Sequence, residues 1–342
     1  MSSEIIFMGG FLVLVTAMLA IDLGLVNKKD HVVSLREALT WTCVWIGTAM
    51  LFYLFLLFRG ELLHGVTDLS GAELAEYRRT LSLEYLTGYL IEKALSIDNI
   101  FVMIMIFLSF RVEPRYYHKI LFWGILGAVV MRFAFIFTAA ALVSRFAWVL
   151  WIFGVILVVS GIKMFFHKEG DESVDMKRHP VVRFVSKRFR MTRSDYDGRF
   201  FVRLRNHLYL TPLFLVLLVI EGSDVIFAVD SIPAIFSVTL DPYIVFFSNI
   251  FAILGLRSLF FVLSGIMDKF AWLKTGLAVL LTFIGAKMLL PVVGTKLFPL
   301  IGAPAFDGHI STPVSLAIIV GILAVSVVAS LVFPPKPKEL TY

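Results

Sequence analysis

The sequence of 342 residues has one cysteine, Cys43, and little charge, with only 16% of its residues Asp, Glu, Lys or Arg. A single thiol excludes a disulfide framework and any thiolate metal cluster. The scarcity of charge, set against about 25% in an average soluble domain, excludes an ordinary soluble globular protein. The seven histidines (31, 64, 118, 167, 179, 207 and 309) fall in loops or at the ends of apolar stretches, which argues against a buried imidazole metal centre. The opening Met1-Ser2-Ser3-Glu4 lacks the basic start of a cleavable signal, so the first apolar stretch is expected to be a helix.

Apolar residues make up 59% of the chain, 33 of them Phe, and the mean hydropathy is +0.90. The expected fold is all-α, a polytopic membrane protein with about nine transmembrane helices at 5–26, 38–58, 85–110, 118–143, 146–166, 209–233, 242–266, 270–291 and 313–333. Lys28, Lys29, Arg36, Arg111, Arg115, Lys119, Lys269, Lys274, Lys336 and Lys338 share one side if the N-terminus is outside and the C-terminus inside. The loop at 59–84 offsets three Arg with five Glu and Asp, which suits the outer side. The 167–208 connection holds eleven Lys and Arg against six Asp and Glu, so 168–208 carries +5 of the whole chain's +6. This segment is expected to lie on the cytoplasmic face in contact with anionic lipid. Nucleic-acid binding is not expected, because no folded stacking platform accompanies the charge.

The chain also repeats itself. Phe146-Ala147-Trp148 recurs as Phe270-Ala271-Trp272, and Gly161-Ile162-Lys163-Met164 as Gly285-Ala286-Lys287-Met288, both at an offset of 124. Arg132 aligns with Arg257 at 125, and Asp98 with Asp224 at 126. A unit of three spans is an odd number, so the second copy is expected to be inverted, an arrangement common in secondary transporters. The expected organisation is an N-terminal two-helix segment with its outer loop (1–84), the first three-helix unit (85–166), the basic loop (167–208), the second unit (209–291), and a last helix with its flanks (292–342).

Carboxylates sit where lipid would be. Glu92, Asp98, Glu221, Asp224 and Asp230 all fall within spans, where a charge costs roughly 2.5–3.5 kcal/mol on insertion scales. At 100° per residue Glu92, Ser96 and Asn99 share one face of their helix, while Asp98 points about 120° away. Glu221 and Asp224 share a face, and Asp230 lies opposite Glu221 unless the helix breaks. Pro233 is expected to break it beside Asp230, and Gly222 permits a further irregularity. Arg132 and Arg257 are the central compensating cations, too few for five carboxylates. The surplus must be protonated, paired with Lys93, or matched by a bound cation. Carboxylate, amide and hydroxyl oxygens suit Mg²⁺, Ca²⁺ or Mn²⁺, and composition does not choose among them. Asp22 near the inner end of the first span is a further candidate ligand.

At Glu92-Lys-Ala-Leu-Ser-Ile-Asp-Asn99, Glu221-Gly-Ser-Asp224 and Asp230-Ser-Ile-Pro233 the sequence resembles the TerC family of integral membrane proteins, its Alx-type bacterial members included. Ala20-Ile-Asp22-Leu-Gly24-Leu-Val-Asn27 is similar too, and the resemblance runs from about Ile6 to Phe333. It implies a bacterial inner-membrane role in metal-ion homeostasis: manganese export, with a historical association with tellurite resistance. It places metal-site roles on Glu92, Asp98, Asn99, Glu221, Asp224 and Asp230, and supplies manganese where the residues alone do not.

The expected function is therefore export of a divalent cation, Mn²⁺ above others, in exchange for protons and with no tightly bound cofactor. One competitor is a non-transporting metal-binding membrane partner. Another is a membrane-embedded aspartate hydrolase, disfavoured because Glu221-Gly222-Ser223-Asp224 has one glycine where the Gly-x-Gly-Asp element has two, and no Gly-x-Ser-x-Gly or His-Glu-x-x-His occurs.

Overall fold

Helix starts are written into the sequence as caps. Ser34 accepts from the Glu37 amide at 3.3 Å, the first half of a capping box, and opens α2 (Leu35–Arg59). Thr211 and Asp241 each precede a proline and accept from the amides of Phe214 and Tyr243, opening α8 (Pro212–Phe236) and α9 (Pro242–Leu254). The computed structural model describes residues 2–26, 34–166, 180–192, 198–204, 207–265, 271–297, 308 and 310–333. Before α2 lies α1 (Ser2–Val26), and after it come the short α3 (Glu61–His64) and α4 (Gly71–Ser109). Next come α5 (Tyr117–Arg145), α6 (Val149–Phe166), α7 (Pro180–Arg188) and an antiparallel hairpin, β1 (Phe201–Leu204) and β2 (His207–Leu210). After α9 follow α10 (Leu256–Ser264), α11 (Ala271–Val292) and α12 (Thr312–Val332).

Among the described residues each of the nine expected stretches is mainly helical, but the count of spans is smaller. Among the described residues six helices are long and apolar enough to cross a membrane, or up to seven if α9 and α10 form one bent span. Helix α1 has an apolar run of only Ile6–Ala20. In α4 the apolar part carries Glu92, Lys93 and Asp98, and this charge removes it from the set.

Three features differ from expectation. The 59–84 region is largely helical, since α4 begins at Gly71; its 39 residues run to roughly 58 Å, far beyond a bilayer core of about 30 Å. Pro233 does not break its helix, and α8 continues to Phe236. Pro233 leaves the Val229 carbonyl without its intrahelical donor, and the helix carries on past it for one further turn. The break falls instead at Gly255, where α9 and α10 meet at 44°. There the Lys93 ammonium donates to the Ala252 carbonyl at 3.3 Å, capping the end of α9.

Helices α6 and α11 cross with backbones in contact. A Cβ on Gly161 would lie 2.7 Å from the Ala278 carbonyl oxygen, and one on Gly285 would lie 2.7 Å from that of Gly154. Small residues allow this approach, as in membrane bundles generally. Helix α4 packs on α9 and, reciprocally, α5 on α8, while α4 also meets α8. The main apolar core gathers around Phe11, Tyr85, Phe246, Phe247 and Phe251. A second core around Phe107, Leu217, Ile220 and Phe260 joins α4, α5, α8 and α10. The candidate site lies among these helices.

Candidate functional site

Arg132, at the middle of α5, is 1% exposed and collects polar groups from three other helices. Its Nη1 donates to Glu92 Oε1 of α4 and to Asn249 Oδ1 of α9, and more distantly, at 3.4 Å, to Ser231 Oγ of α8. Its Nη2 lies 3.4 Å from Asp224 Oδ1 of α8, an oxygen that Asn99 Nδ2 of α4 also approaches at 3.5 Å. Glu92 is fully buried and Asp224 6% exposed, so the ion pairs are formed out of water, where an uncompensated charge would be strongly destabilising.

Asp224 and Glu221 are one turn apart and line the same small cavity with Arg132, Gly124, Ile125 and Ala128. Its volume of about 10 Å³ matches one water-sized occupant. The Glu221 carboxylate rests on Gly127 of α5, where a Cβ would come within 2.6 Å of Oε2 and closer still to Oε1. Two carboxylates, Glu92 and Asp224, thus pair with one guanidinium, and a third, Glu221, lines the same cavity. Further oxygens on α4 are buried without a hydrogen-bond partner: Glu92 Oε2, Ser96 Oγ and Asn99 Oδ1. They lie on the face that helical spacing assigns to Glu92, Ser96 and Asn99. Among the described residues, no group of three or more His, Cys, Asp and Glu closes into a ready metal cage. Arg132 holds the space between Glu92 and Asp224.

Asp230 accepts from Ser160 of α6 at 2.8 Å; the continuous α8 turns it away from Glu221. Asp98 is half-buried on the neighbouring face of α4, and its sequence neighbour Asn99 makes the contact with Asp224. Arg257 is buried in α10 past the Gly255 break. Asp22 falls in α1, but its side chain lies outside the described residues. Lys93 serves the Ala252 carbonyl. Sequence reasoning missed Asn249 and Gly127. A lone amide within an apolar span was a usable signal for Asn249, since polar residues inside spans face partners. Nothing in the sequence marked Gly127.

The fold and site define an all-α multi-pass membrane protein with a buried ionic cluster between its helices. The family model described as "Integral membrane protein TerC family" matches residues 77–338, and the chain belongs to that family. It is 43% identical over 319 residues to a protein of Escherichia coli K12 named Alx, which that name describes as a proposed membrane-bound redox modulator; the match covers 93% of this chain and 92% of the relative. The Alx of Photorhabdus laumondii is 46% identical over 283 residues, covering 82% and 85%. An uncharacterized membrane protein of Myxococcus xanthus is 41% identical over 326 residues, covering 94% and 91%. No solved structure matches. These descriptions name no enzymatic activity.

Proposed function

We propose that the protein exports a hard divalent cation, Mn²⁺ above others, across a bacterial inner membrane in exchange for protons. The observation that carries this reading is the pairing of Glu92 and Asp224 with Arg132, with Glu221 lining the same cavity, beside buried oxygens of Ser96 and Asn99 that lack partners. The surplus of two carboxylates over one guanidinium matches one divalent ion or two protons. Exchanging one filling for the other across the membrane is antiport. The all-oxygen donor set suits a hard ion. The resemblance of the Glu92–Asn99 and Glu221–Asp224 segments supplies manganese and the outward direction.

Arg132 acts as the resident counter-ion. It satisfies Glu92 and Asp224 when no metal is present, and an arriving ion competes with it for the same oxygens. Two facing units of three helices, oriented with the N-terminus outside, would expose the cluster to each side in turn. The pairing of α4 with α9 and of α5 with α8 supports that arrangement. An inside-negative potential opposes exit of a divalent ion by about 4.6 kcal/mol per 100 mV, which is why exchange is preferred to uniport. A hydrolase would need two aspartates sharing a proton. Here Asp224 is held by Arg132 and Asn99, while Asp230 is held by Ser160. Thiol exchange within the chain would need a second cysteine besides Cys43.

Liposomes loaded with Mn²⁺ and a pH-sensitive dye test the proposal. Efflux should acidify the lumen and accelerate when the outside is made acid, and Asp224→Asn and Glu92→Gln should abolish both responses. Mn²⁺ binding without flux would make the protein a non-transporting metal-binding partner. Flux without any luminal pH change would eliminate antiport.

A further inference from the structure

Helix α7 has two unlike sides. Its inner side packs on the bundle: Val185 is 3% exposed against Leu210 and Leu215, and Val181 and Val182 meet α8. Its outer side leaves Phe184 68% and the following Phe189 51% exposed. Beside it the hairpin leaves Phe201 47% and Leu208 64% exposed. The two pieces form one surface, because the Leu210 amide donates to the Arg190 carbonyl and the Thr192 amide to that of Leu210, both at 2.9 Å.

Among its described residues, charge on this surface has one sign. Arg183, Lys187, Arg188, Arg190, Arg199 and Arg203 are all exposed, and no Asp or Glu occurs among the described residues of 180–210. The surface is anchored to the ends of two apolar helices. Strand β2 runs directly into α8 through Thr211, and Lys119 near the start of α5 donates to the Gly198 carbonyl at 2.7 Å. Large apolar side chains among cations, held at the end of helices that cross a membrane, are the composition of a segment lying in the headgroup layer. There the phenyl rings enter the acyl boundary and the Lys and Arg meet lipid phosphates.

We propose that α7 and the β1–β2 hairpin together form a docking surface for anionic phospholipid of the bilayer the protein spans. The headgroup phosphates pair with the six cations, and Phe184, Phe189, Phe201 and Leu208 insert beneath them. This assignment stands whether or not the carboxylate cluster carries a metal. It explains why a basic surface keeps its phenyl rings outside the protein core, an arrangement that costs free energy in water.

The test uses the full-length protein in lipid nanodiscs of phosphatidylcholine alone or mixed with phosphatidylglycerol. With Cys43→Ser and Phe184→Cys, labelling by a water-soluble thiol reagent should slow ~10-fold or more when the anionic lipid is present, and high salt should restore it. Tryptic cleavage after Arg183, Lys187 and Arg188 in the unaltered chain should slow in parallel, which covers any loss caused by removing Phe184. A chain with Arg183, Lys187, Arg188 and Arg190 all changed to Gln should be labelled equally in both lipids. Equal labelling of the Phe184→Cys chain together with equal cleavage of the unaltered chain in the two lipids overturns the proposal, as does equal protection by inorganic phosphate in detergent.

Discussion

The Glu221 carboxylate lies directly over Gly127, at a spot on α5 that a methyl group would fill. Absence of a side chain there lets α8 bring a carboxylate against the neighbouring helix, within the cavity shared with Asp224 and Arg132. Gly127→Ala should therefore displace Glu221 and weaken Mn²⁺ binding by roughly 10–100-fold, the scale of a misplacement of about 1 Å. Gly124→Ala, three residues earlier, provides the control. Its Cβ would meet only ordinary contacts at 3.7–4.0 Å, so affinity should hold. Calorimetric titration of both variants decides the matter; equal affinities would detach Glu221 from the site.

Arg132 should matter to folding as much as to transport. Arg132→Met strands Glu92 and Asp224 without their cation, and breaking a buried pair in this way costs about 3–5 kcal/mol. Adding Glu92→Gln to Arg132→Met should recover part of the loss, because an amide leaves less charge unpaired. Thermal unfolding in detergent measures both, and a double variant no more stable than the single one would deny the pairing.

His64 joins three elements at one end of the bundle. Its Nδ1 lies 3.1 Å from Glu4 of α1 and its Nε2 2.8 Å from Asp241, the cap of α9. Only the imidazolium can donate from both nitrogens. The hydrogen bond with Asp241 is the main cause raising its pKa above 6.5, opposed by partial burial and aided by Glu4. Among the described residues, Tyr77 and Glu84 of α4 and Tyr243 of α9 are further titratable groups lining the pocket around it. A raised value means that the stabilisation is full below pH 6.5 and is lost as pH climbs through the folded-state value. His64→Ala should thus lower stability by about 1–2 kcal/mol in acid and by little in alkali. Unfolding midpoints of both proteins across this range should converge at high pH; a gap independent of pH would assign His64 a packing role only.

Orientation is checked by labelling. With Cys43 replaced by Ser, a cysteine at the exposed Leu240 should react with an impermeant reagent outside the cell, and one at the exposed Arg199 should not. The reverse pattern would invert the topology drawn from the Lys and Arg distribution.

Much of this protein follows from its sequence. Apolar length and missing charge determine a helical membrane bundle, because an unpaired backbone in lipid leaves few alternatives. Cap residues determine where α2, α8 and α9 begin, and helical spacing puts Glu92, Ser96 and Asn99 on one side. These are local effects, carried by residues within a few turns of each other. Tertiary structure alone decided which helices meet at Arg132. It brought Asn249 and Ser231 to the guanidinium, set Asn99 beside Asp224, and sent Asp230 to Ser160. It also moved the helix break from Pro233 to Gly255, where Lys93 from another helix caps the carbonyl end. Each outcome depends on contacts between residues tens of positions apart in sequence, whose relative depth and rotation no single helix period contains.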